Sequence, residues 1–338
     1  MKRLSLVLAL AITSFMIIGS SGMVQAAQQK PVTMQWGSTP APNSGEHKSA
    51  NIVIANIREQ TNGAITINFF PGGTLGNEPT ALQGVMSGTI EMASVSPNIV
   101  ATVSPAMNAL CLPFVYEDEK NFWDVLTTEE YVNKVNEVLG EVGLVYLGIG
   151  LAAPRNVSTK VFVGTPADTK GQVIRVMGGS IYSDLYKAWG FGTSVLSYGE
   201  VYTAMQQGVV DGLDNSNDGN ILMKFCEVVT HTLGLDYVYH AQMILMNKDL
   251  FDSLTPETQK IIKAAFAQGT MDAKTVSMQA NIENIDIVKE RYNITYTAVT
   301  PELRKVWSDA LTPVYEKYKK IIGEDFYNWY VNFAASKR

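Results

Sequence analysis

The stretch GQVIRVMGGSIYSDLYKAWG (residues 171–190) pairs one strand pattern with one helix pattern. Val173–Met177 is a short, largely apolar run, which predicts a strand. Ile181–Trp189 has the pattern of a helix, and Gly178 and Gly179 separate the two. A strand followed at once by a helix is the repeating unit of α/β proteins.

The same alternation extends along the chain in both directions. Further predicted strands are Val32–Trp36, Ala64–Phe70, Ile90–Val95, Gly143–Ile149, Lys160–Val163 and Val209–Gly212. Further predicted helices are Glu46–Gln60, Glu78–Met86, Glu119–Leu139, one from the Ser197/Glu200 capping box to Gln207, and C-terminal helices that begin at Thr300. This pattern predicts an α/β fold of two lobes with mainly parallel strand pairing, and clefts between lobes are common ligand sites.

One predicted helix is unusually long. Thr255-Pro256-Glu257 forms an N-terminal cap, and no proline interrupts the chain from there to Arg291. Typical globular helices have about 8–20 residues. We therefore expect this helix to span both lobes.

Composition excludes several classes of protein. The 338 residues include 26 Lys+Arg and 32 Asp+Glu, which gives a formal net charge of −6. With 46% hydrophobic and 17% charged residues, the chain can bury a core and is not disordered. Its acidic balance argues against a nucleic-acid partner. Cys111 and Cys226 cannot form a disulfide framework, and two buried thiols are favoured over one disulfide.

Residues 1–26 have the pattern of a cleaved secretory signal peptide. Lys2 and Arg3 precede an apolar run from Leu4 to Ile18, and small residues end the segment at Ala26. The run is shorter than the ~20 residues that a membrane-spanning helix needs. We therefore expect an exported protein of the bacterial periplasm, by default a monomer.

No common catalytic or metal-binding motif is present. The metalloprotease, serine-hydrolase, P-loop and C-x-x-C patterns are all missing. Residues 214–219 begin like a calcium loop, but its twelfth position is Phe225 where a glutamate is needed. The sequence therefore predicts no catalytic residue, no cofactor and no metal.

Two arginines lie in apolar surroundings. Arg175 is inside the predicted strand Val173–Met177, and Arg155 follows Ala153-Pro154. A buried guanidinium needs an anion, which an internal carboxylate or a ligand could supply. Arginine matches a carboxylate with two parallel hydrogen bonds. From the residues alone, Arg175 is a structural ion pair, an arginine that points off a strand edge, or a ligand contact. Arg155 alone is a surface loop residue or a ligand contact.

A longer pattern connects this arginine strand to a known family. Together with residues 171–176, the stretch YGEVYTAMQQGVVDGLDN (residues 198–215) resembles the substrate-binding proteins of TRAP (tripartite ATP-independent periplasmic) transporters, the DctP family. Thr61-Asn62-Gly63, Leu112-Pro113-Phe114 and Met246-Asn247-Lys248 extend the resemblance over nearly all of the chain after the signal peptide. It implies a two-lobe periplasmic binding protein fold, with a long helix behind both lobes.

The resemblance also implies ligand-binding residues. The carboxylate-binding arginine of the family corresponds to Arg175, and a second ligand arginine to Arg155. The ligand asparagine corresponds to Asn215, preceded by Asp214 where the family usually has glutamate, and the packing aromatic to Tyr198. Candidates from the first lobe are Trp36, Ser38, Glu46, Ser96 and Asn98. The expected division of the mature chain is 27–152 plus 241–280 for lobe I, and 153–240 plus 281–338 for lobe II.

The resulting hypothesis is a periplasmic solute receptor. It would capture an organic acid in the cleft between the lobes and deliver it to the small and large membrane subunits of a TRAP transporter. One alternative is a periplasmic enzyme that acts on an organic acid, with Glu46 or Asp214 as general base. Another is a binding protein that serves a signalling receptor. Sugar acids, 2-oxo acids, dicarboxylates and aromatic acids all stay open as ligands.

Overall fold

The computed structural model describes residues 28–338, so the predicted signal peptide lies outside the described residues. Within 28–338, the helices are too short or too polar to cross a membrane. Cys111 and Cys226 are both buried and unpaired, as predicted.

The first lobe is built on a five-stranded sheet. Its strands are β1 (Val32–Gly37), β2 (Ile65–Phe70), β3 (Met92–Val95), β4 (Leu144–Pro154) and β10 (Tyr239–Asn247). They lie in the order β2-β1-β3-β10-β4. β1 pairs parallel with β2 and β3, whereas β10 pairs antiparallel with β3 and β4.

The second lobe is built on a six-stranded sheet. Its strands are β5 (Asn156–Thr159), β6 (Val173–Val176), β7 (Gly192–Val195), β8 (Gly212–Asn215), β9 (His231–Gly234) and β11 (Thr295–Ala298). They lie in the order β11-β9-β5-β8-β6-β7. β6 pairs parallel with β7 and β8, and β9 with β11, whereas β5 is antiparallel to β8 and β9.

Of the nine strand pairs among residues 28–338, five are parallel, so parallel pairing predominates only narrowly and both sheets are mixed. The antiparallel pairs involve the segments that pass between the lobes. β4 leads through Arg155 directly into β5, and the chain returns from β9 into β10. Since one connection leaves the first lobe and the other re-enters it, β4 and β10 run in opposite directions.

The helices cover the sheets. They are α1 (Gly45–Gln60), α2 (Glu78–Ser87), α3 (Pro97–Val100), α4 (Glu119–Leu126), α5 (Glu129–Gly140), α6 (Ser180–Ala188), α7 (Val201–Gln207), α8 (Asn217–Leu222), α9 (Lys248–Ser253), α10 (Pro256–Glu290), α11 (Pro301–Asp309), α12 (Thr312–Ile322) and α13 (Glu324–Ala335). Short 3-10 turns occur at Pro105–Cys111, Pro166–Thr169, Tyr198–Glu200 and Phe225–Glu227.

The long predicted helix is confirmed as α10, which has 35 residues. The Thr255 side chain accepts a hydrogen bond from the Thr258 amide and begins the helix. α10 contacts α1 and β4 in the first lobe and α8 and β11 in the second. A single helix therefore backs both lobes.

Three local predictions are wrong. The segment Glu119–Leu139 is two helices, because the Thr128 side chain accepts from the Tyr131 amide and begins a new helix. Lys160–Val163 is not a strand, since Val161 and Phe162 are each 53% exposed and the pairing strand is β5. Val209–Gly212 is not a strand either, because β8 begins at Gly212 rather than ending there.

The predicted lobe boundaries stay a prediction. Strand β10 lies in the first sheet, as the boundary at residue 241 requires for most of its length. The C-terminal helices, however, contact elements from both parts of the chain. α12 packs against α6 and the Pro105–Cys111 turn, and α13 packs against α4.

Candidate ligand-binding cleft

A cavity of about 300 Å³ lies between the two lobes. Its walls come from the loops at the carboxyl ends of parallel strands. In the first lobe these are Thr39–Ala41 after β1 and Ser96–Ile99 after β3. In the second lobe they are Met177–Gly178 after β6, Leu196–Tyr198 after β7, and the end of β8. Ligands of open α/β sheets bind at this end of the strands.

Arg175 lies on the cavity wall with an incomplete set of partners. Its side chain is 3% exposed, and Nε and Nη2 donate to the Leu196 carbonyl at 3.0 and 2.8 Å. Nη1 has no hydrogen-bond partner among residues 28–338. Burial, together with the positive charge of Arg155, lowers the pKa of Arg175 to about 10. The second lobe thus presents a desolvated cation, and no acidic side chain of the described chain forms a salt bridge with it.

Arg155 also lines the cavity, but its charge is compensated internally. Its Nε donates to Asp214 Oδ1 at 2.8 Å, and its Nη2 donates to the Asp214 carbonyl at 2.6 Å. Tyr237 donates its hydroxyl to the other carboxylate oxygen of Asp214. Asp214 is 1% exposed and lies behind the wall rather than on it. Its carboxylate therefore holds Arg155 in place.

Asn215 and Tyr198 lie beside the two arginines. The Asn215 amide donates to the Tyr198 hydroxyl at 3.3 Å and to Asn220 Oδ1 at 3.1 Å. The Arg175 guanidinium lies 5.8 Å from the centre of the Tyr198 ring. A Cβ at Gly219 would be 2.6 Å from the Asn215 amide nitrogen, so the close packing here requires glycine. The structure brings these four predicted side chains together at one wall.

Ser96 and Asn98 line the opposite wall, in the first lobe. Ser96 follows β3 and its hydroxyl donates to Glu78 at 2.9 Å. Asn98 reaches across the cleft, where its amide donates to the Gly178 carbonyl at 2.6 Å. This bond joins the two lobes directly.

The other first-lobe candidates lie behind the cavity. Trp36 is 1% exposed and donates from its ring nitrogen to Ser94 at 2.8 Å. Ser38 donates to the Glu46 carboxyl at 2.6 Å. Glu46 is fully buried under Gly150, and its other oxygen has no partner among the described residues. Burial raises the pKa of Glu46 to about 7. None of the three lines the cavity, because β1 and the start of α1 direct them into the lobe interior.

Three further residues line the cavity that the sequence pattern did not indicate as site residues: Glu78, His240 and Gln242. Glu78 was assigned only to the start of a helix. His240 and Gln242 lie two residues apart on β10 and therefore share one face of the sheet. Two polar residues at this spacing in a largely apolar strand could have indicated from the sequence that they face a cavity.

His240 is half-buried and lines the cavity. Its Nε2 lies 3.1 Å from the Ser96 hydroxyl. Burial and the nearby charges of Arg155 and Arg175 hold its pKa well below 6.5, so the ring is neutral. Across residues 28–338, no cluster of His, Cys, Asp and Glu has the composition of a metal site.

Comparisons with known proteins point to a family that fits a cleft lined by buried arginines between two α/β lobes. The model of the family described as "Bacterial extracellular solute-binding protein, family 7" (DctP) matches residues 36–321. The chain belongs to this family. The family 7 assignment confirms the resemblance found in the sequence.

The amino-acid sequences of individual relatives match this chain over most of their length. The chain is 28% identical to the 2,3-diketo-L-gulonate-binding periplasmic protein YiaO of Escherichia coli K12, and the match covers 92% of each protein. It is 24% identical to the C4-dicarboxylate-binding periplasmic protein DctP of Rhodobacter capsulatus, covering 88% of this chain and 90% of that protein.

Solved family 7 structures share the fold. A TRAP periplasmic solute-binding protein from Sulfitobacter sp. NAS-14.1, with bound β-D-galacturonate, has a TM-score of 0.83 at 24% identity over 89% of this chain and all of that one. The sugar acid binding protein DctPAm from Advenella mimigardefordensis, in complex with galactonate, has a TM-score of 0.84 at 24% identity over 91% and 99%. The two-lobe binding-protein fold is thereby confirmed.

Replacing Asp214 should destabilise the protein strongly. Asp214→Asn would leave the Arg155 guanidinium buried without its anion, and removing one partner of a buried pair costs about 3–5 kcal/mol. Urea denaturation followed by circular dichroism measures the loss. Asp309→Asn, which breaks an exposed pair with Lys305, serves as control and should cost less than about 1 kcal/mol. Equal losses in the two variants would contradict the role assigned to Asp214.

Glu46 should make stability depend on pH. The folded protein keeps the Glu46 proton up to about pH 7, whereas the unfolded chain releases it near the usual pKa of 4.5. The stabilisation is therefore complete below pH 4.5 and is lost as the pH rises to about 7, on the order of 3 kcal/mol in all.

Glu46→Gln mimics the protonated carboxyl and should not lose this stability. In denaturant titrations from pH 4 to 8, the free energy of unfolding of the wild type should fall between pH 4.5 and 7. That of the variant should not fall, so the variant becomes more stable relative to the wild type over this interval. The exposed control Glu59→Gln should follow the wild-type curve. A Glu46→Gln curve parallel to that of the wild type would show that the carboxyl is not held protonated.

Proposed function

We propose that this protein is a periplasmic receptor that captures an organic acid in the cleft and delivers it to the membrane subunits of a TRAP transporter. The unpaired guanidinium of Arg175 carries the proposal. A desolvated arginine on a cavity wall favours an anion, and a carboxylate offers two oxygens to its planar fork. The Nη1 edge of Arg175, which has no partner in the described chain, is free for this contact.

The other residues at this wall complete the carboxylate site. Arg155 is fixed by Asp214, so it can direct its remaining donor to the ligand without rearrangement. Asn215 and Tyr198 supply an amide and an aromatic face beside it. A site whose donors are already oriented loses little free energy in ordering on binding.

Capture requires that the ligand contacts both lobes. A ligand shifts an open–closed equilibrium only by its difference in affinity for the two states. An acid that is held by Arg175 in the second lobe and by the Ser96 wall in the first stabilises the closed state. The membrane subunits would then recognise that closed state.

The location of the protein follows from the predicted signal peptide and from the relatives, two of which are named as periplasmic proteins. We propose that the mature protein acts in the periplasm as a monomer. A binding role is favoured over catalysis, because Glu46 and Asp214, the general bases of the enzyme alternative, both lie behind the cavity wall. A general base must come within hydrogen-bond reach of its substrate.

Arg175→Ala should abolish tight binding of the acid. The mature protein is first screened by thermal shift against uronates, aldonates, 2-oxo acids, dicarboxylates and aromatic acids. Calorimetric titration of each hit should then show a loss of about 2–5 kcal/mol in the variant, the scale for truncating one partner of a buried charge pair. Arg58→Ala, on the exposed side of α1, is the matched control and should bind normally. Undiminished affinity in Arg175→Ala would disprove the carboxylate site.

Asn98→Ala should shift the ligand-free protein towards the open state. The bond from Asn98 to Gly178 is the contact between lobes that the variant removes, and one such bond contributes about 0.5–1.5 kcal/mol. The ratio of closed to open molecules should fall by roughly 2- to 10-fold, as measured by energy transfer between dyes placed on the two lobes. Asn108→Ala is the control, because the Asn108 amide donates to the Pro105 carbonyl within the same 3-10 turn. An unchanged dye distance in Asn98→Ala would argue against this role in closure.

A further inference from the structure

The charges on the cavity wall are close to balance before a ligand enters. Arg155 is neutralised by Asp214, which leaves Arg175 as the guanidinium without an internal anion in the described chain. Two carboxylates, Glu78 and Asp218, line the same cavity. Glu78 forms no salt bridge with any residue of the described part. One ligand carboxylate therefore satisfies Arg175, and a second would meet negative charge.

Glu78 lies at the first turn of α2 and accepts hydrogen bonds from the wall around it. Thr39, Ser96 and Gln242 donate to Oε1 at 3.1, 2.9 and 3.0 Å. The Ser96 amide donates to Oε2 at 3.1 Å. An ionised carboxylate can only accept, so each of these neighbours must turn its hydrogen towards Glu78.

This requirement determines the orientation of Gln242. Its nitrogen must face Glu78, because the opposite orientation would place two acceptors against each other. The side-chain oxygen of Gln242 then points away from Glu78, and it has no partner among residues 28–338. Gln242, a residue of the cavity lining, therefore carries a buried acceptor that has no donor in the described chain.

The hydrogen bonds of Ser96 also determine which ring nitrogen of His240 carries the proton. Ser96 has a single hydroxyl hydrogen and donates it to Glu78, so its oxygen accepts from His240 Nε2 at 3.1 Å. The proton of the neutral ring is thus on Nε2, and Nδ1 carries a lone pair. Nδ1 has no partner within the described chain.

Asn98 provides the third free acceptor. Its nitrogen donates to the Gly178 carbonyl, which can only accept, so the nitrogen and oxygen positions are determined. The Asn98 oxygen has no partner in the part of the chain that the structure describes. Three acceptors with no donor therefore belong to residues of the cavity wall.

Buried acceptors without donors are costly, so the bound molecule must supply the donors. Several separate acceptors call for several hydroxyl groups, whereas one ammonium group would serve a single centre. A second ligand carboxylate would place acceptor oxygens against the acceptors of the wall. It would also add negative charge beside Glu78, so the wall discriminates against dicarboxylates. The cavity of about 300 Å³ suits a small molecule.

Building on the proposed carboxylate site at Arg175, we infer that the cleft selects a polyhydroxylated monocarboxylate, a sugar acid, and rejects dicarboxylates through Glu78. Glu78 acts as a specificity-determining residue by orienting Ser96, Gln242 and His240. The ligand carboxylate binds Arg175, and its hydroxyl groups donate to the free acceptors of Gln242, His240 and Asn98.

The test compares matched pairs of acids by calorimetric titration. Gluconate, galactonate and mannonate are each paired with the aldarate in which the terminal CH₂OH is a second carboxylate. Succinate, hexanoate and glutamate complete the set. The wild type should bind at least one aldonate at least tenfold more tightly than its aldarate and than the other three acids.

Glu78→Gln removes the charge and allows the neighbours to reorient, since the new amide can donate as well as accept. The preference for aldonate over aldarate should shrink at least tenfold in this variant. Glu59→Gln makes the same change of net charge on the exposed side of α1 and should keep the wild-type preference. Comparison of the two variants separates the local effect of Glu78 from the overall charge.

If Glu78→Gln does not fold, the ratio of the wild-type affinities for aldonate and for the competing acids tests the inference by itself. An aldarate, succinate, hexanoate or glutamate that binds as tightly as the best aldonate overturns it, as does a folded Glu78→Gln variant with an unchanged ratio. These results leave the proposed function intact if Arg175→Ala still abolishes binding. Absence of binding by every acid in the wild type would instead refute the carboxylate site itself.

Discussion

The buried ion pair between Arg155 and Asp214 holds together the place where the two lobes join. Arg155 is the residue between β4 and β5, so it lies on the connection that leaves the first lobe. Its side chain is bound to Asp214 on β8, and its amide donates to the Val238 carbonyl on the returning connection at 2.9 Å. One residue therefore links both connections to the second sheet. A buried pair of this kind adds little net stability compared with apolar packing, but it penalises any arrangement that separates the partners.

The position of Asp214 also explains why Arg175 lacks an anion. The Asp214 carboxylate is bound to Arg155, so the second guanidinium stays desolvated beside a like charge. Such an arrangement is unfavourable for folding and favourable for binding an anion, which is a common trade between stability and function. The cleft is thus prepared for one negative charge. On the facing wall, Glu78 sets the hydrogen-bond polarity and limits what else the ligand can carry.

Local signals predicted most helices and many strands correctly. The capping threonine at position 255 and the absence of proline up to Arg291 identified α10, because a helix depends mainly on contacts within its own segment. Strand direction was not predictable in this way, since pairing is decided by distant partners. The antiparallel insertion of β10 between β3 and β4 joins residues that are 85 or more positions apart, as in the pair Tyr239 and Pro154. The break at Thr128 was missed because an apolar helical pattern continues on both sides of it.

The family, the two-lobe α/β class and one wall of the site could be predicted from the sequence, because Arg175, Tyr198 and Asn215 occur in a motif of characteristic spacing. Only the tertiary structure decided which polar residues reach the cavity. Asp214, Trp36, Ser38 and Glu46 lie behind the wall, whereas Glu78, His240 and Gln242 line it. The reason is geometric: those three come from a helix start and a returning strand that are distant in sequence, and their hydrogen-bond roles exist only once folding has placed Ser96 and Glu78 beside them.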